Sequence, residues 1–305
     1  MTTRGSAVPG FKTRVLHTLA KGFPDEPLRA DDTAGAARHT ALANETYAFQ
    51  IGYRSPQGLR SVRVEVDSPL APWTRVRAVG LVPSELPCFP DQDDDVLRKT
   101  PGLYPDPLFP IEEAGLIIPP NQWRSLWVSV HLDGTVPPGE YDITIKLVLE
   151  NGDPLAEQSV TLRVLSASLP PQKLMYTNWF HTDCLADYYG CEVFSERHWE
   201  LIEKFVRTAV EHGMNMLLTP LFTPPLDTMV GGERTTVQLV DVERTAPGEY
   251  RFGFDRLKRW IGLAQASGIE YFEMSHLFTQ WGAQHAPKIM ARTETGATER
   301  IFGWE

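Results

Sequence analysis

The stretch that decides the fold is SERHWELIEKFVRTAVEHGMNMLL, which runs from Ser195 to Leu218. Ser195 is a suitable helix N-cap, because its hydroxyl can accept a backbone N–H at the start of the helix. Apolar residues then recur with the period of a helix. They are Trp199, Ile202, Val206, Ala209 and Val210. Gly213 suits the left-handed position that ends a helix, and Asn215–Leu218 follows as an apolar strand. The stretch predicts a helix that leads directly into a strand.

The flanking residues repeat this alternation. Leu174–Trp179 predicts a strand before the helix, and Ile269–Met274 predicts a third strand. Between the second and third strands, Asp255 is a candidate N-cap and Gly268 a candidate end of another helix. The apolar face of that helix is Leu257, Trp260, Ile261 and Ala264. Strands and helices that alternate in this way form right-handed parallel crossovers.

Parallel crossovers predict the opening of a (β/α)8 barrel. A doubly wound sheet could begin in the same way, but no Gly-rich phosphate loop follows the first strand. A complete barrel needs ~250 residues, far more than follow Pro171. We therefore expect about three βα units, truncated at Glu305. The segment Thr219–Phe254 is predicted to carry its own hairpin, Val237–Val240 against Glu249–Phe252.

The first half of the chain alternates apolar and polar residues, the period of half-buried strands. The clearest runs are Tyr141–Leu149 and Val160–Val164, and Asn151-Gly152 between them suits a tight hairpin turn. Earlier strands are predicted at Tyr47–Tyr53, Val62–Val66 and Leu126–Val130. Short antiparallel strands with Pro- and Gly-rich turns favour a β-sandwich. The predicted fold class is multidomain β plus α/β: an antiparallel β-sandwich over residues 1–168, then the first part of a TIM-type barrel over 169–305.

The composition argues against several classes of protein. A net charge of −10 without a Lys/Arg-rich run disfavours nucleic-acid and anionic-membrane binding. No apolar run is long enough to span a membrane, and Met1–Phe23 lacks the apolar run of a signal peptide. The expected location is therefore cytoplasmic, with Cys88, Cys184 and Cys191 as free thiols. The acidic run Asp91–Asp95 is interpreted as a solvated loop, with calcium binding as the alternative.

Two predicted strand ends carry the side chains that a sugar site uses. One ends in Asn178–Asp183; the other ends in Glu273–His276 and continues to Trp281. Aromatic faces for a sugar ring, with polar groups for its hydroxyls, are typical of such sites. The candidate substrate-binding residues are Trp179, His181, Asp183, Glu273, His276 and Trp281. No GxSxG elbow, P-loop or dinucleotide fingerprint occurs, which removes several enzyme classes, and no cofactor is expected. No metal is expected either, because the sequence offers no local ligand spacing.

Other interpretations of these residues stay open. Trp and His side chains at strand ends also close a barrel core without binding a ligand. Asp183 and Glu273 are the strand-end carboxylates that a two-carboxylate glycosidase would need. His181, Asp183 and His276 could hold a metal in a small enzyme of another class, although their spacing gives no local support.

Several motifs, in order along the chain, resemble glycoside hydrolase family 123. Tyr104–Pro110 (YPDPLFP) is similar to the "DPLLP" segment of that family's sandwich domain, although from its residues alone it suggests an extended proline-rich loop. The other similar positions are Trp127, Pro137–Tyr141, His276–Phe278, Trp281-Gly282 and Phe302–Trp304. The resemblance covers the chain from about Tyr47 to Glu305.

The resemblance implies a retaining β-N-acetylhexosaminidase that favours N-acetylgalactosamine. In that family the acetamido oxygen of the substrate acts as nucleophile, oriented by an Asp, while the adjacent Glu is the general acid; substrate-assisted enzymes are an exception to the two-carboxylate scheme. The family's Asp-Glu pair follows the fourth barrel strand, and the acidic pairs of this chain all precede the barrel, so no catalytic residue is carried over. They include Asp31-Asp32, Asp93–Asp95 and Glu112-Glu113.

We therefore expect the N-terminal portion of a glycoside hydrolase that is inactive alone. Its expected partner is a glycan with a terminal N-acetylhexosamine, and self-association through the incomplete barrel is also expected, because an open barrel leaves an unpaired strand edge. The alternative is a non-catalytic protein. Such a protein would bind either carbohydrate or a separate chain that supplies the remainder of the barrel.

Overall fold

The computed structural model describes residues 7–33, 38–224, 233–278, 282 and 285–303. Over these residues the chain is mostly β, with three α-helices. It divides into two compact units, Met1–Pro170 and Pro171–Glu305. Each unit has its own core and is described by itself.

The first unit contains two five-stranded sheets. Its strands are β1 (Lys12–Leu16), β2 (Arg38–Ala41), β3 (Thr46–Arg54), β4 (Leu59–Asp67), β5 (Thr74–Ser84), β6 (Gly102–Pro110), β7 (Leu116–Ile118), β8 (Trp123–His131), β9 (Gly139–Val148) and β10 (Pro154–Val164). One sheet has the order β1-β3-β8-β5-β6 and the other the order β2-β10-β9-β4-β7. The pairings between these strands are antiparallel except that of β2 with β10.

Strands from both sheets bury their apolar residues in one cluster. Ile143 and Ile145 of β9 meet Val160 of β10 and Leu126 of β8 there, all at most 1% exposed. Burying one such side chain contributes roughly 1.5–3 kcal/mol. The predicted turn at Asn151-Gly152 is confirmed: Gly152 has a φ of +90°, and Val148 pairs with Pro154 on either side of it. The predicted strands of this half lie in β3, β4, β8, β9 and β10.

The proline-rich segment Tyr104–Pro110 is part of strand β6, not a loop. β6 pairs with β5 and lies at the edge of its sheet. An edge strand tolerates proline because one side of its backbone needs no partner. Nearby, the acidic run Asp91–Asp95 lies in an irregular segment whose aspartates are exposed.

The second unit combines three helices with two small sheets. Its elements are α1 (Asp183–Tyr189), α2 (Glu196–Glu211), β11 (Met216–Thr219), β12 (Asp241–Ala246), β13 (Glu249–Gly253), α3 (Asp255–Ser267), β14 (Tyr271–Met274), β15 (Ile289–Arg292) and β16 (Thr298–Phe302). β11 and β14 are parallel, with α3 between them in the chain, as the sequence predicts. The other four strands form a sheet of order β13-β12-β15-β16.

The two predicted helices are confirmed. Ser195 accepts a hydrogen bond from the N–H of His198, and Gly213 and Gly268 have φ values of +93° and +107°. Trp199, Ile202, Val206, Trp260 and Ala264 are buried together in the core of this unit. Asp255 is the first residue of α3 but provides no side-chain cap, so the predicted cap there is wrong.

The predicted strand Leu174–Trp179 is wrong. These residues have no strand assignment. The carbonyl of Tyr176 accepts from the N–H groups of Asn215 and Met216 at 3.2 and 3.1 Å, and the side chain of Asn215 accepts from the N–H of Tyr176. The backbone N–H of Tyr176 is thus bonded to the side-chain amide of Asn215, whereas in a β-strand it would be bonded to the backbone of a neighbouring strand. The apolar pattern of the sequence does not reveal this bond.

The predicted hairpin is displaced. Glu249–Gly253 forms the second strand as expected, but its partner is β12 rather than Val237–Val240. The N–H groups of Leu239 and Val240 donate to Pro220 and Leu221, and both side chains are buried. The apolar pattern of Val237–Val240 therefore reflects burial beside β11, while the charged residues of β12 form the hairpin.

Candidate glycan-binding site

Three of the candidate residues lie together in the second unit. The indole Nε1 of Trp179 donates a hydrogen bond to Oε2 of Glu273 at 3.1 Å. The ring of Trp179 meets that of His276 nearly edge-on, with 5.4 Å between the centroids. One carboxylate and two rings therefore converge from segments that are 94 residues apart.

The end of strand β14 positions this group. Glu273 lies on β14, and its Cα partner on β11 is Leu218. Immediately after the strand, the N–H of Ser275 donates to the carbonyl of Thr219 at 2.9 Å, which fixes the chain just before His276. Two parallel strands thus end side by side, and parallel strand ends are where such sheets build sites.

The exposure of the three side chains suits contact with a ligand. Trp179 is 46% exposed, His276 is exposed and Glu273 is half-buried. An indole offers a flat apolar face as well as a polar N–H. A carboxylate has about four lone-pair positions, so Glu273 can hold the indole and still accept a hydroxyl of a ligand.

Asp183 is placed differently from this group. It is 4% exposed at the start of α1, and its two oxygens accept from Nε and Nη2 of Arg234 at 2.8 and 3.0 Å. Burial acts to lower the pKa of Arg234, but the hydrogen bonds and charge of Asp183 outweigh that effect and raise it. The pair ties the segment between β11 and β12 to α1, and sequence reasoning missed Arg234 because no local pattern marks it.

His198, also missed, supports the same segment from helix α2. Its Nδ1 accepts from the N–H of Phe194 at 2.9 Å, so its Nε2 carries the proton and donates to the carbonyl of Thr182 at 2.9 Å. The ring is fully buried. This bridge fixes the backbone that carries His181 and Asp183, of which His181 is half-buried. The remaining candidate, Trp281, lies outside the described residues.

The described residues also bear on metals, thiols and membranes. Within these residues, no group of three or more His, Cys, Asp or Glu side chains could hold a metal ion. Cys88, Cys184 and Cys191 are free thiols, and Sγ of Cys184 lies 3.1 Å from Nη2 of Arg234. None of the helices in this part of the chain is long and apolar enough to cross a membrane.

Comparison with known proteins finds similarity to one family of glycoside hydrolases. Residues 179–305 match the family model "Glycoside hydrolase 123, catalytic domain". A family 123 glycoside hydrolase from Clostridium perfringens, studied for the details of glycolipid glycan hydrolysis, matches with a TM-score of 0.69 at 15% sequence identity, over 96% of this chain and 52% of the enzyme. This chain therefore spans about half the length of that enzyme.

Two further structures match only weakly. AvmM, which catalyses macrocyclization in alchivemycin A biosynthesis, gives a TM-score of 0.28 at 8% identity, over 54% of this chain and 92% of AvmM. The SrpA adhesin of Streptococcus sanguinis gives 0.25 at 12% identity, over 71% of this chain and 85% of the adhesin. No curated protein matches this chain by sequence.

At 15% identity the likeness to the Clostridium enzyme shows the fold, and the family model adds the sequence signal of the catalytic domain. The chain thus resembles glycoside hydrolase family 123, by sequence over residues 179–305 and by fold over 96% of its length.

Proposed function

We propose that this chain is the N-terminal portion of a retaining, substrate-assisted β-N-acetylhexosaminidase of the N-acetylgalactosamine type. In this proposal, residues 1–168 form a β-sandwich domain, and residues 169–305 supply the first βα units of a TIM-type barrel. The family model over residues 179–305 supports it, as does the match over 96% of the chain to half of a family 123 enzyme. The catalytic Asp-Glu pair is assigned to sequence beyond this chain.

The observation that carries the proposal is the group formed by Trp179, Glu273 and His276. The indole offers a surface for the apolar face of a sugar ring, and Glu273 offers an oxygen to a hydroxyl. The hydrogen bond between them at 3.1 Å fixes the indole without a ligand. A ring that is already held loses less conformational freedom on binding.

The other three candidates, Asp183, His181 and Trp281, have secondary roles in this proposal. Asp183 is proposed to position Arg234 and not to contact the sugar, because the guanidinium of Arg234 already bonds to both oxygens of its carboxylate. His181 lies between Trp179 and Asp183 on the same segment, which His198 fixes through Thr182. Trp281 is proposed as a further wall of the site on its sequence position alone.

Saturation-transfer NMR tests the site with N-acetylgalactosamine and galactose as probes. We expect saturation of the N-acetylgalactosamine signals and a loss of affinity of about tenfold in Trp179→Ala, the scale of one lost stacking contact. Glu273→Gln should keep the indole in place, because an amide oxygen also accepts a hydrogen bond. Loss of binding in Glu273→Gln would thus report the charge itself.

The matched control is Tyr188→Ala. Tyr188 is an aromatic residue of the same unit, 84% exposed on α1, and its only ring contact among the described residues is with Tyr189. The Tyr188→Ala substitution should leave the affinity for N-acetylgalactosamine unchanged. Equal affinity of Trp179→Ala and the wild-type chain would refute the assignment of the site.

Self-association forms the second part of the proposal. Large apolar side chains near the ends of β11 and β14 are exposed, among them Leu174 at 73% and Leu277 at 62%. Light scattering over a range of concentrations tests it. An average mass that rises with concentration is expected, whereas a monomer of 34.3 kDa at every concentration would contradict this part.

A further inference from the structure

A separate cavity of about 550 Å³ lies in the first unit. On one side it is bounded by the outer face of β1, β3 and β8, and on the other by the segment Pro24–Thr33. On that face Lys12 lies opposite Arg54, which in turn lies opposite Trp123. The alternate residues Ile51 and Tyr53 point the other way, into the core. The sheet thus places two cations and an indole in one row.

Four basic side chains and two acidic ones line the cavity. The basic residues are Lys12, Arg14, Arg29 and Arg54, and the acidic residues are Asp25 and Glu26. Both acidic residues are already paired with a residue outside the lining. Arg98 donates to the two oxygens of Asp25 at 2.7 and 2.9 Å and lies 3.5 Å from Glu26.

Arg98 is held firmly in that position. Its side chain is 7% exposed, and its guanidinium lies 5.1 Å from the ring centre of Phe23 and 5.5 Å from that of Tyr104. The hydrogen bond from Arg98 lowers the pKa of Asp25. Arg98, which is not part of the cavity lining, therefore offsets part of the negative charge of these two carboxylates.

The four basic residues of the lining lack such partners. Among the ion pairs of the described residues, none involves Lys12, Arg14, Arg29 or Arg54. The three arginines donate instead to the backbone carbonyls of Thr13, Leu97 and Asn121. A carbonyl carries no net charge, so these bonds do not neutralise the positive charges of the guanidinium groups. A bound anion would relieve the repulsion among these cations.

The rest of the lining favours a sugar over other anions. Trp123 is half-buried and offers a flat surface to a ring, while the amide of Asn121 and the hydroxyl of Thr33 can bond to hydroxyl groups. A nucleic acid would need a long basic strip to neutralise its phosphates, but this chain carries a net charge of −10. We propose that this cavity binds a saccharide that bears carboxylate or sulfate groups. The site is independent of the proposed function, because all its residues lie in the first unit.

Calorimetric titration of the whole chain tests this site with four probes. A hyaluronan tetrasaccharide carries carboxylates alone, and a chondroitin sulfate tetrasaccharide carries carboxylates and sulfates. Chitotetraose is neutral, and a twelve-nucleotide single-stranded DNA represents the nucleic-acid alternative. We expect binding of one or both acidic saccharides, weakened as salt rises. Comparing the affinities of the two acidic probes shows whether carboxylates alone are enough for binding or sulfates are also needed.

Charge-neutralising variants locate the binding. Arg14→Gln/Arg54→Gln should bind about tenfold to a hundredfold more weakly, because a hydrogen bond to a charged group is worth more than a neutral one. The matched control is Arg60→Gln/Arg163→Gln, which removes the same charge from exposed positions outside the cavity. Lys12→Gln, an exposed substitution, serves as a second test if the double variant melts at a lower temperature.

The remaining outcomes decide against the site. Equal weakening by the control pair would mean general attraction of anions, and chitotetraose that binds as tightly as the acidic probes would remove the charge argument. DNA that binds more tightly than either acidic saccharide would point to a nucleic-acid site. Each of these results would overturn the proposal.

Discussion

The buried imidazole of His198 joins the carbonyl of Thr182 to the N–H of Phe194, with both distances at 2.9 Å. The residue lies on α2, and Thr182 immediately precedes α1. A single neutral side chain thus connects the segment that carries Trp179 and His181 to the residues just before α2.

His198→Ala should lower the free energy of unfolding by about 2 to 5 kcal/mol. The substitution leaves a buried carbonyl and a buried N–H without partners, and each costs about 1–3 kcal/mol. Urea denaturation measures the loss. The control is His212→Ala at the exposed end of α2, where a bond to the carbonyl of Thr208 is removed; a loss in His198→Ala no larger than in this control would contradict the prediction.

Asp183→Ala should be similarly destabilising, by about 3 to 5 kcal/mol. The ion pair with Arg234 is nearly buried, with side-chain exposures of 5% for Asp183 and 11% for Arg234, and breaking a buried ion pair by removing one partner is strongly destabilising. Thermal or urea unfolding measures the change. The matched control is Glu203→Ala, whose exposed pair with Arg207 on α2 should contribute less than about 1 kcal/mol. Similar losses of unfolding free energy in the two variants would show that the Asp183–Arg234 pair stabilises the fold no more than an exposed ion pair does.

The first unit should lose stability in strong base through Tyr53. Burial raises the pKa of this phenol to about 12, whereas an unfolded chain ionises it near 10. Because the folded pKa is the higher one, the stabilisation is complete below about pH 10 and is lost as pH rises through 12, by about 2 to 3 kcal/mol. Unfolding across this window measures it.

Tyr53→Phe should make that pH dependence shallower. A second phenol contributes in the same direction, since burial also raises the pKa of Tyr47 to about 12. The double variant with Tyr47→Phe should therefore be flatter still. A wild-type slope that persists in the double variant would assign the alkaline loss to other groups.

The chain by itself should show little or no hexosaminidase activity. The resemblance to family 123 calls for an adjacent Asp-Glu pair after the fourth barrel strand, and the acidic pairs of this chain precede the barrel. Hydrolysis of a chromogenic N-acetylgalactosaminide by the purified chain checks this. Turnover that disappears in Glu273→Ala would contradict the prediction and place catalysis within these residues.

Periodic burial made much of the fold predictable from sequence. Strands β9 and β10 alternate because one face of each packs on the core, and Gly152 marks their turn. Helices α2 and α3 follow from Trp199, Trp260 and their helical spacing. The parallel pairing of β11 with β14 follows from the helix between them.

The errors have local physical causes. Val237–Val240 is apolar because it is buried beside β11, so its pattern resembled a strand. The charged strand β12 was missed because Val242 is its one buried residue, while charged residues such as Glu243, which pairs with Arg251, make up most of the rest. The partnership of Asp183 with Arg234 spans 51 residues, and no periodicity encodes such a contact. The proximity of Trp179 to Glu273 and His276 was predicted from two strand ends, but only Glu273 lies on a strand, β14, because the segment Leu174–Trp179 forms none.

Strand β6 has a consequence for how this protein behaves at high concentration. It lies at the edge of its sheet, and three of its nine residues are prolines, at positions 105, 107 and 110. Proline contributes no backbone N–H, so a strand from another molecule finds an interrupted row of donors there. The segment that resembles a family motif thus also acts as a barrier to fibril growth, and replacing its prolines would open a template for aggregation.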